Sequence, residues 1–348
     1  MTAMPPADDA RGNHPATFFD AILVVAFGGP EGMDDVLPFL ENVTRGRAVP
    51  KERLEEVAHH YALFDGVSPI NAQNRTLIAA LRGEFDRHEI ALPIYFGNRN
   101  WHPLLEDTLR EMRDDGVERA LAFFTSAFSS YSSCRQYREN ILDAQAAIGP
   151  GAPEVMRTRV FYNHPGFVSA NVDRVNDALG EIPVERRDRV HLAFTAHSIP
   201  EAMARRSRYE SQLVEAARLV ANGVGVRNHA LVYQSRSGSP TVPWLGPDVC
   251  DHIAALGASS VEDVVVSPIG FVSDHMEILF DLDVEARAAA QAAGINLVRA
   301  GTAGTHRLFV AMIRELIQER LDPDTPRRVV GRYGPGHDVC PEGCCLAR

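Results

Sequence analysis

The sequence predicts an α/β protein made of two doubly wound halves, each a parallel four-stranded sheet with flanking helices. Three observations carry this. Eight short runs rich in Val, Ile, Ala and Phe end in Gly, Ser or Pro turns and alternate with longer amphipathic segments, the pattern of a parallel sheet covered by helices. The runs fall into two sets of four that meet near residues 165–185. The 348 residues suffice for two domains of ordinary size.

In chain order, residues 1–19 are polar and Pro-rich with no apolar stretch of the kind a signal peptide needs, so they read as a loose, disordered tail. Strands are expected at 21–27, 92–96, 120–125 and 155–161 in a first half spanning 20–170. A second set, at 190–195, 230–234, 264–268 and 295–299, belongs to a half spanning 171–330. Strand spacing differs between the halves, so the repeat is architectural and not a duplication of sequence. Residues 331–348 form a Gly/Pro-rich and then Cys-rich tail.

Composition narrows the function. A net charge of −11 argues against broad binding to nucleic acid or anionic membrane, which draws its affinity from clustered cations. The apolar runs fall far below the ~18 residues that cross a bilayer. A cytoplasmic, monomeric protein is the expectation. Lys51 is the one lysine among 35 basic residues, a bias that a genome's codon preference explains as well as any function.

In open α/β sheets ligands bind beyond the carboxyl ends of the strands. In the first half those ends read Phe27-Gly-Gly-Pro-Glu31, Gly97-Asn-Arg-Asn-Trp-His-Pro103 and Ser126-Ala-Phe-Ser-Ser-Tyr131. The second half offers Ala196-His-Ser-Ile-Pro200, Ser235-Arg-Ser-Gly238 with Pro243-Trp-Leu-Gly-Pro247, and Gly270-Phe-Val-Ser-Asp-His-Met-Glu277. The crevice between the halves should therefore carry aromatics, a histidine and carboxylates.

Residues 274–293 lack Gly and Pro, and Ser273 or Asp274 can cap them, so they read as a helix. Glu277, Asp281 and Glu285 then share one face, where like charges four apart repel by roughly 0.2–0.5 kcal/mol per pair. Arg287 is better placed to pair with Asp283. The ladder is either a solvated acidic face or a track of oxygen ligands for a divalent cation, ending in a carboxylate that accepts protons. His197, just past its strand, is by itself either structural or catalytic. Opposite an acidic helix of the same half, it can form a general acid/base pair with Glu277.

Six strings carry a resemblance: Val25-Ala-Phe-Gly-Gly-Pro30, Gly66-Val-Ser-Pro-Ile70, Ala196-His-Ser-Ile-Pro200, Tyr233-Gln-Ser235, Pro243-Trp-Leu-Gly-Pro247 and Pro268-Ile-Gly-Phe-Val-Ser-Asp-His-Met-Glu277. In order and spacing they resemble the ferrochelatases, which insert Fe²⁺ into a porphyrin, over residues 21–321. The similarity is greatest to the coproporphyrin III ferrochelatases of actinobacterial type, through Asn71-Ala-Gln-Asn-Arg75 and Gly97-Asn-Arg-Asn-Trp-His-Pro103. It implies a bilobal chelatase-like fold with porphyrin in the cleft. It makes His197 and Glu277 the pair that takes pyrrole protons and meets iron, and Asp281 and Glu285 outer stations for the metal. It also implies substrate contacts at Phe27, Arg45, Arg47, Ser68 and Tyr131, while Gly66, Pro69, Gly246 and Pro247 read as turn formers. Arg45 and Arg47 otherwise read as ordinary surface charge. Phe27 stands where many Gram-positive relatives carry a tyrosine able to reach iron, and Asn100 stands where some carry a histidine, so neither metal contact carries over.

Cys340, Cys344 and Cys345 crowd the last nine residues, and Cys134 adds a fourth thiol. Four thiolates suit a [2Fe–2S] cluster, which several bacterial ferrochelatases hold with an internal and a terminal cysteine group. A Cys₄ zinc site or free thiols would use the same residues. Cys250, in an apolar-patterned helix at 249–256, reads as core. Protoporphyrin IX as substrate, a non-catalytic porphyrin or haem carrier, and insertion of cobalt or nickel into another tetrapyrrole are the competing functions. A carrier has no need for proton acceptors beside a metal path.

Overall fold

The computed structural model describes residues 19–46, 49–237, 241–259 and 261–347. The expected tail up to residue 18, Arg47 and Gly238 lie outside them. Phe19, assigned from sequence to the end of that tail, is instead buried in the core at 1% exposure.

All eight expected strands form: β1 (Ala21–Ala26), β2 (Ile94–Asn98), β3 (Arg119–Phe124) and β4 (Glu154–Arg157), then β5 (His191–His197), β6 (His229–Gln234), β7 (Asp263–Ser267) and β8 (Asn296–Arg299). Both sheets are parallel, ordered β2-β1-β3-β4 and β6-β5-β7-β8. Each half therefore reverses its strand order beside its first strand, and that switch point is where a doubly wound sheet opens a crevice. β1 is buried along its whole length because helices cover both faces of the sheet, which is why it reads as an unbroken apolar run.

Two strands differ at their ends. β2 starts at Ile94 because Pro93 has no N–H to give a ladder; its carbonyl accepts from Ile22 N–H instead. β4 stops at Arg157, and Arg159 leaves the sheet to form a fully buried ion pair with Glu319 at 2.7 Å. The helix expected at 274–293 is interrupted. Its N-cap is His275, the Ser273 hydroxyl being engaged with Asn74 of helix Ile70–Arg87 and the Asp274 carboxylate with Arg299, and its middle, Leu279–Ala286, is a π-helix. Asp283 does meet Arg287, at 3.9 Å, but Arg299 is its nearer partner at 2.8 Å.

The halves share one core. Helix Arg307–Leu321 buries Phe309, Met312, Ile313, Leu316 and Ile317, packing on helix Pro165–Gly180 and on helix Ile70–Arg87 of the first half. Helix Pro165–Gly180 begins with a proline at N1 and is capped by His164, whose Nδ1 accepts the Gly166 N–H at 3.1 Å. Its Nε2, which then carries the proton, lies 3.3 Å from Glu315. Burial, helped by Arg159 and Arg328, pushes the His164 pKa down to about 3.

A histidine whose folded pKa lies below its unfolded value stabilises the fold above the unfolded pKa, and that contribution fades as pH falls from 6.5 toward 3. His164 should therefore cost about 2 kcal/mol of stability between pH 7 and pH 5. Urea unfolding should show His164→Asn, which keeps a capping oxygen, to be less acid-sensitive than wild type by that amount. Parallel stability–pH curves would mean that His164 titrates normally.

Candidate active site

His197 is the last residue of β5, in register with Gln234 at the end of β6. The turn after it is held from three sides: Tyr209 OH donates to the His197 carbonyl at 3.0 Å, Ser198 Oγ donates to Leu245 O at 2.7 Å, and Leu245 N–H donates to Ile199 O at 3.0 Å. The Pro243–Pro247 string is thus a brace for the histidine turn. Nδ1 of His197 is within hydrogen-bond distance of the Ser198 carbonyl, so it carries the proton and leaves Nε2 toward the cleft.

After β7 the chain crosses over the end of β5 at Gly270. A Cβ there would stand 2.6 Å from the Ala196 Cβ, so only glycine lets the following segment lie this close. That segment delivers Glu277, whose Oε2 lies 3.7 Å from His197 Nε2 and 4.0 Å from His275 Nε2. His275 is fixed by its capping role, its Nδ1 accepting the Ile278 N–H at 3.2 Å. One turn on, Asp281 Oδ2 accepts from Ser235 Oγ and, at 3.2 Å, from Gln234 Nε2. Gln234 also reaches the Glu277 carbonyl at 3.3 Å.

These contacts set the charges. Burial would raise the Glu277 carboxyl, but His197 and His275 outweigh it and hold the pKa down to about 2. Burial would lower His197, yet Glu277 and the Ser198 carbonyl win and raise it. His275 goes the other way, lowered because burial outweighs Glu277. Asp281 is pushed up to about 7, first by burial and then by Glu277, against the hydrogen bonds from Ser235 and Gln234. Glu285 is raised by burial and by Asp248. The three carboxylates do not share one environment: Asp281 is half-buried, whereas the Glu277 side chain is 47% exposed and Glu285 is exposed.

The opposite wall comes from the first half. Phe27, Phe39, Tyr61, Trp101 and Met276 belong to one apolar cluster, which reaches the residue before Glu277. Phe39 meets Phe27, Tyr61 and Trp101 edge-on at 6.1–6.3 Å. His60 stacks on Phe280 at 3.8 Å. Tyr61 is raised by burial and by Glu277, which places its hydroxyl among the groups that sense that carboxylate. Ser68 is buried at 4% beneath Gly29, where a Cβ would come within 2.7 Å of the serine's own. Tyr131, partly buried, opens the turn after β3, and Arg45 stands exposed past helix Met33–Val43. Gly66 is a turn former as expected, with φ +74° and its Cβ position 2.4 Å from Met33 N. Sequence reasoning did not single out His275, Gln234, Ser235, Tyr61 or His60. The first three lie in or beside the quoted strings; no local signal marks the last two.

A family model for ferrochelatase matches residues 19–321. The chain belongs to the ferrochelatase family. It is 56% identical over 329 residues to a ferrochelatase of Rhodopirellula baltica, covering 94% of this chain and 93% of that protein. It is 51% identical to the coproporphyrin III ferrochelatase of Streptomyces coelicolor, with 96% and 95% covered. Among solved structures, SirB from Bacillus subtilis with Fe³⁺ has a TM-score of 0.55 at 12% identity, over 90% of this chain and 99% of that one. That likeness concerns the bilobal fold alone. Membership of the ferrochelatase family makes the protein a lyase whose substrates are a porphyrin and iron. Among the described residues no helix is long and apolar enough to cross a membrane.

The tail is tied down. Asp338 is gripped by Arg320 at 3.1 Å and Arg327 at 3.0 Å, and Asn163 donates to the Tyr333 carbonyl at 2.9 Å. This lays Cys340–Cys345 against the first half. Arg157 bridges two thiols, with NH1 3.3 Å from Cys134 Sγ and NH2 2.9 Å from Cys340 Sγ. Cys344 Sγ lies 3.5 Å from Cys345 Sγ, and the donor atoms of His337, Cys340 and Cys344 lie within 4.8 Å of one another. The Cys134 hydrogen bond, His337 and Arg157 favour the thiolate at Cys340 over the opposing burial and lower its pKa. The grouped donors are thus one imidazole and two thiols, a set that could hold a metal ion; Cys134 and Cys345 are not part of it. Cys250 stays apart, partly buried against the second-half core on helix Val249–Leu256.

Replacing Glu277 by Gln should lower the His197 pKa to below that of an exposed imidazole, because burial then acts with its main opponent gone. Imidazole proton shifts followed against pH would show it; an unmoved midpoint would mean that Glu277 does not set the charge on His197.

Proposed function

We propose that the protein inserts Fe²⁺ into coproporphyrin III, with His197 and Glu277 as its catalytic pair. The carrying observation is that pair, 3.7 Å apart at the switch point of the second sheet with Asp281 one turn behind it. Metallation replaces two pyrrole N–H protons by one Fe²⁺ and releases both protons. Glu277 is held ionised and can receive the cation, while Asp281, poised near neutrality, exchanges a proton for it and passes it inward from Glu285. As iron nears Glu277 the His197 imidazolium gives its proton to solvent, and the neutral imidazole then takes the two pyrrole protons in turn, handing each on to solvent. The rigid aromatic wall around Phe27 supplies binding energy to bend the porphyrin, so that its nitrogen lone pairs face the ion. Phe27 cannot coordinate, so the metal ligands of this reading all stand on the His197 side.

Four propionates distinguish coproporphyrin from the two of protoporphyrin IX. Arg45, Ser68 and Tyr131 are the proposed contacts to them. The name of the Streptomyces relative supports coproporphyrin; that of the Rhodopirellula relative leaves the porphyrin unspecified. Cys134, Cys340, Cys344 and Cys345 would hold a [2Fe–2S] cluster, which supplies one-electron chemistry when bound and cross-links the tail to the first half. The protein acts as a cytoplasmic monomer in haem biosynthesis.

His197→Ala and Glu277→Gln should each lower the metallation rate at least about a hundredfold while coproporphyrin affinity stays within about tenfold, since they handle protons and metal. Anaerobic assays with Fe²⁺ and each porphyrin measure this, and wild-type turnover in either variant would remove the assignment. Asp281→Ala and Glu285→Ala should raise the iron concentration for half-maximal rate; an unchanged iron dependence would return the ladder to a solvated face.

Purified anaerobically, the protein should be coloured. Serine at Cys134, Cys340, Cys344 or Cys345 should bleach it and lower its thermal midpoint, while Cys250→Ser keeps the colour. A colourless protein free of iron and sulfide would dismiss the cluster.

A further inference from the structure

The tail and the porphyrin-facing wall of the first half meet in five residues. After β3 the chain makes one wide turn, Tyr131–Arg135, in which the Arg135 and Gln136 amides reach back five residues to the carbonyls of Ser130 and Tyr131. Such π turns are rare, are held by their surroundings and recur at functional sites. Ser130 caps this one, its Oγ accepting the Ser133 N–H at 3.1 Å. One end is Tyr131, a proposed porphyrin contact. The other end holds the tail.

Arg135 makes that grip. Its NH1 donates to the Glu342 carbonyl at 2.9 Å and to the Cys344 carbonyl at 3.0 Å, while Nε is aimed by Glu139 at 2.7 Å. Next to it, Cys134 shares Arg157 with Cys340. On the cleft side the same turn is tied to the proposed porphyrin wall: Arg99 NH1 donates to the Ser132 carbonyl at 3.3 Å, and its guanidinium lies 5.6 Å from the Phe27 ring centre. Tail and turn are thus joined by hydrogen bonds, and turn and wall by Arg99, which bonds the Ser132 carbonyl and lies over the Phe27 ring.

We propose that tail residues 342–345 set the position of Tyr131 against the porphyrin, with Arg135 as the positioning residue. This rests on the porphyrin reading above and not on the presence of a cluster. A tail in place presents Tyr131 pre-organised, and a released tail lets the turn relax toward an ordinary helical start, so the loss falls on porphyrin affinity and not on proton or metal handling.

The test uses the full-length protein. Coproporphyrin III binding without iron, read by fluorescence quenching, should weaken about fivefold in Arg135→Gln, which corresponds to part of one charge-assisted hydrogen bond. KM for porphyrin should rise in step, while kcat and KM for iron stay within about twofold. Arg135→Lys, which keeps one N–H for a tail carbonyl, should recover part of the affinity. The decisive comparison is a double-mutant cycle: Arg135→Gln should add nothing to Tyr131→Ala, since Arg135 acts through that side chain. Unchanged porphyrin affinity in Arg135→Gln, or multiplicative losses in the double variant, would overturn the proposal. Should Arg135→Gln fail to fold, the same cycle with Arg135→Lys decides it. Wild-type protein that binds no coproporphyrin would instead overturn the functional reading itself.

Discussion

The burial of helix Arg307–Leu321 against both halves is the constraint on which the rest of the molecule depends. Two α/β halves joined only by a linker move relative to each other, and a site split between them would then lose its geometry. Here five large apolar side chains of that helix enter the shared core, each contributing roughly 1.5–3 kcal/mol on burial. Polar contacts add direction. Arg314 reaches Glu84 of helix Ile70–Arg87 at 2.9 Å, and Glu319 pairs with Arg159. A buried ion pair is a weak source of net stability because desolvation offsets the attraction. Its effect here is on the path of the chain: Arg159 also donates to the Arg328 carbonyl at 2.9 Å, which aims the tail toward the cysteines.

With the halves fixed, the two switch points face each other, and their contents are complementary. The second half supplies a histidine, an ionised carboxylate and a carboxyl near neutrality; the first supplies rings and buried amides. Asn98 donates to Asn71, and Asn71 donates to the Gly29 carbonyl at 3.1 Å, so side chains join the backbone bonds from Asn100 N–H to Phe27 O and from Ser68 N–H to Pro30 O in holding the turn after β1. A flat apolar macrocycle with polar edges suits this division, since its faces meet rings while its centre meets the groups that exchange protons for metal.

Two helical segments beside the site are π-helical. Tyr131–Arg135 and Leu279–Ala286 each follow the carboxyl end of a sheet strand, and each carries residues assigned to the reaction or its substrate. A π turn widens the helix and sacrifices packing within it, so it persists where outside contacts over-determine it. Arg299 does this for the second turn, holding Asp283 at 2.8 Å and Asp274 at 3.3 Å. The wider turn keeps Glu277 and Asp281 on one side, so the acidic ladder survives the departure from α-helical geometry.

The eight strands, their division into two parallel sheets and the residues at their carboxyl ends are legible in the sequence, because apolar runs and turn residues are local properties that need no partner to be read. It also marked His197, Glu277, Asp281 and Glu285, since each follows a strand or repeats at a helical spacing. The remaining features depend on partners far apart in the chain. The shift of β4's end follows from Glu319, 160 residues after Arg159. The cap at His275 follows from helix Ile70–Arg87, which claims the Ser273 hydroxyl, and from Arg299, which claims the Asp274 carboxylate. The approach of Tyr61 and His60 to the Glu277 helix, and the gathering of Cys134 with a tail some two hundred residues later, have no local pattern to announce them. Nor does the neutral-range carboxyl of Asp281: an aspartate's charge is set by burial and by the Glu277, Ser235 and Gln234 around it, and those neighbours exist only once the two strand ends and the π turn are in place.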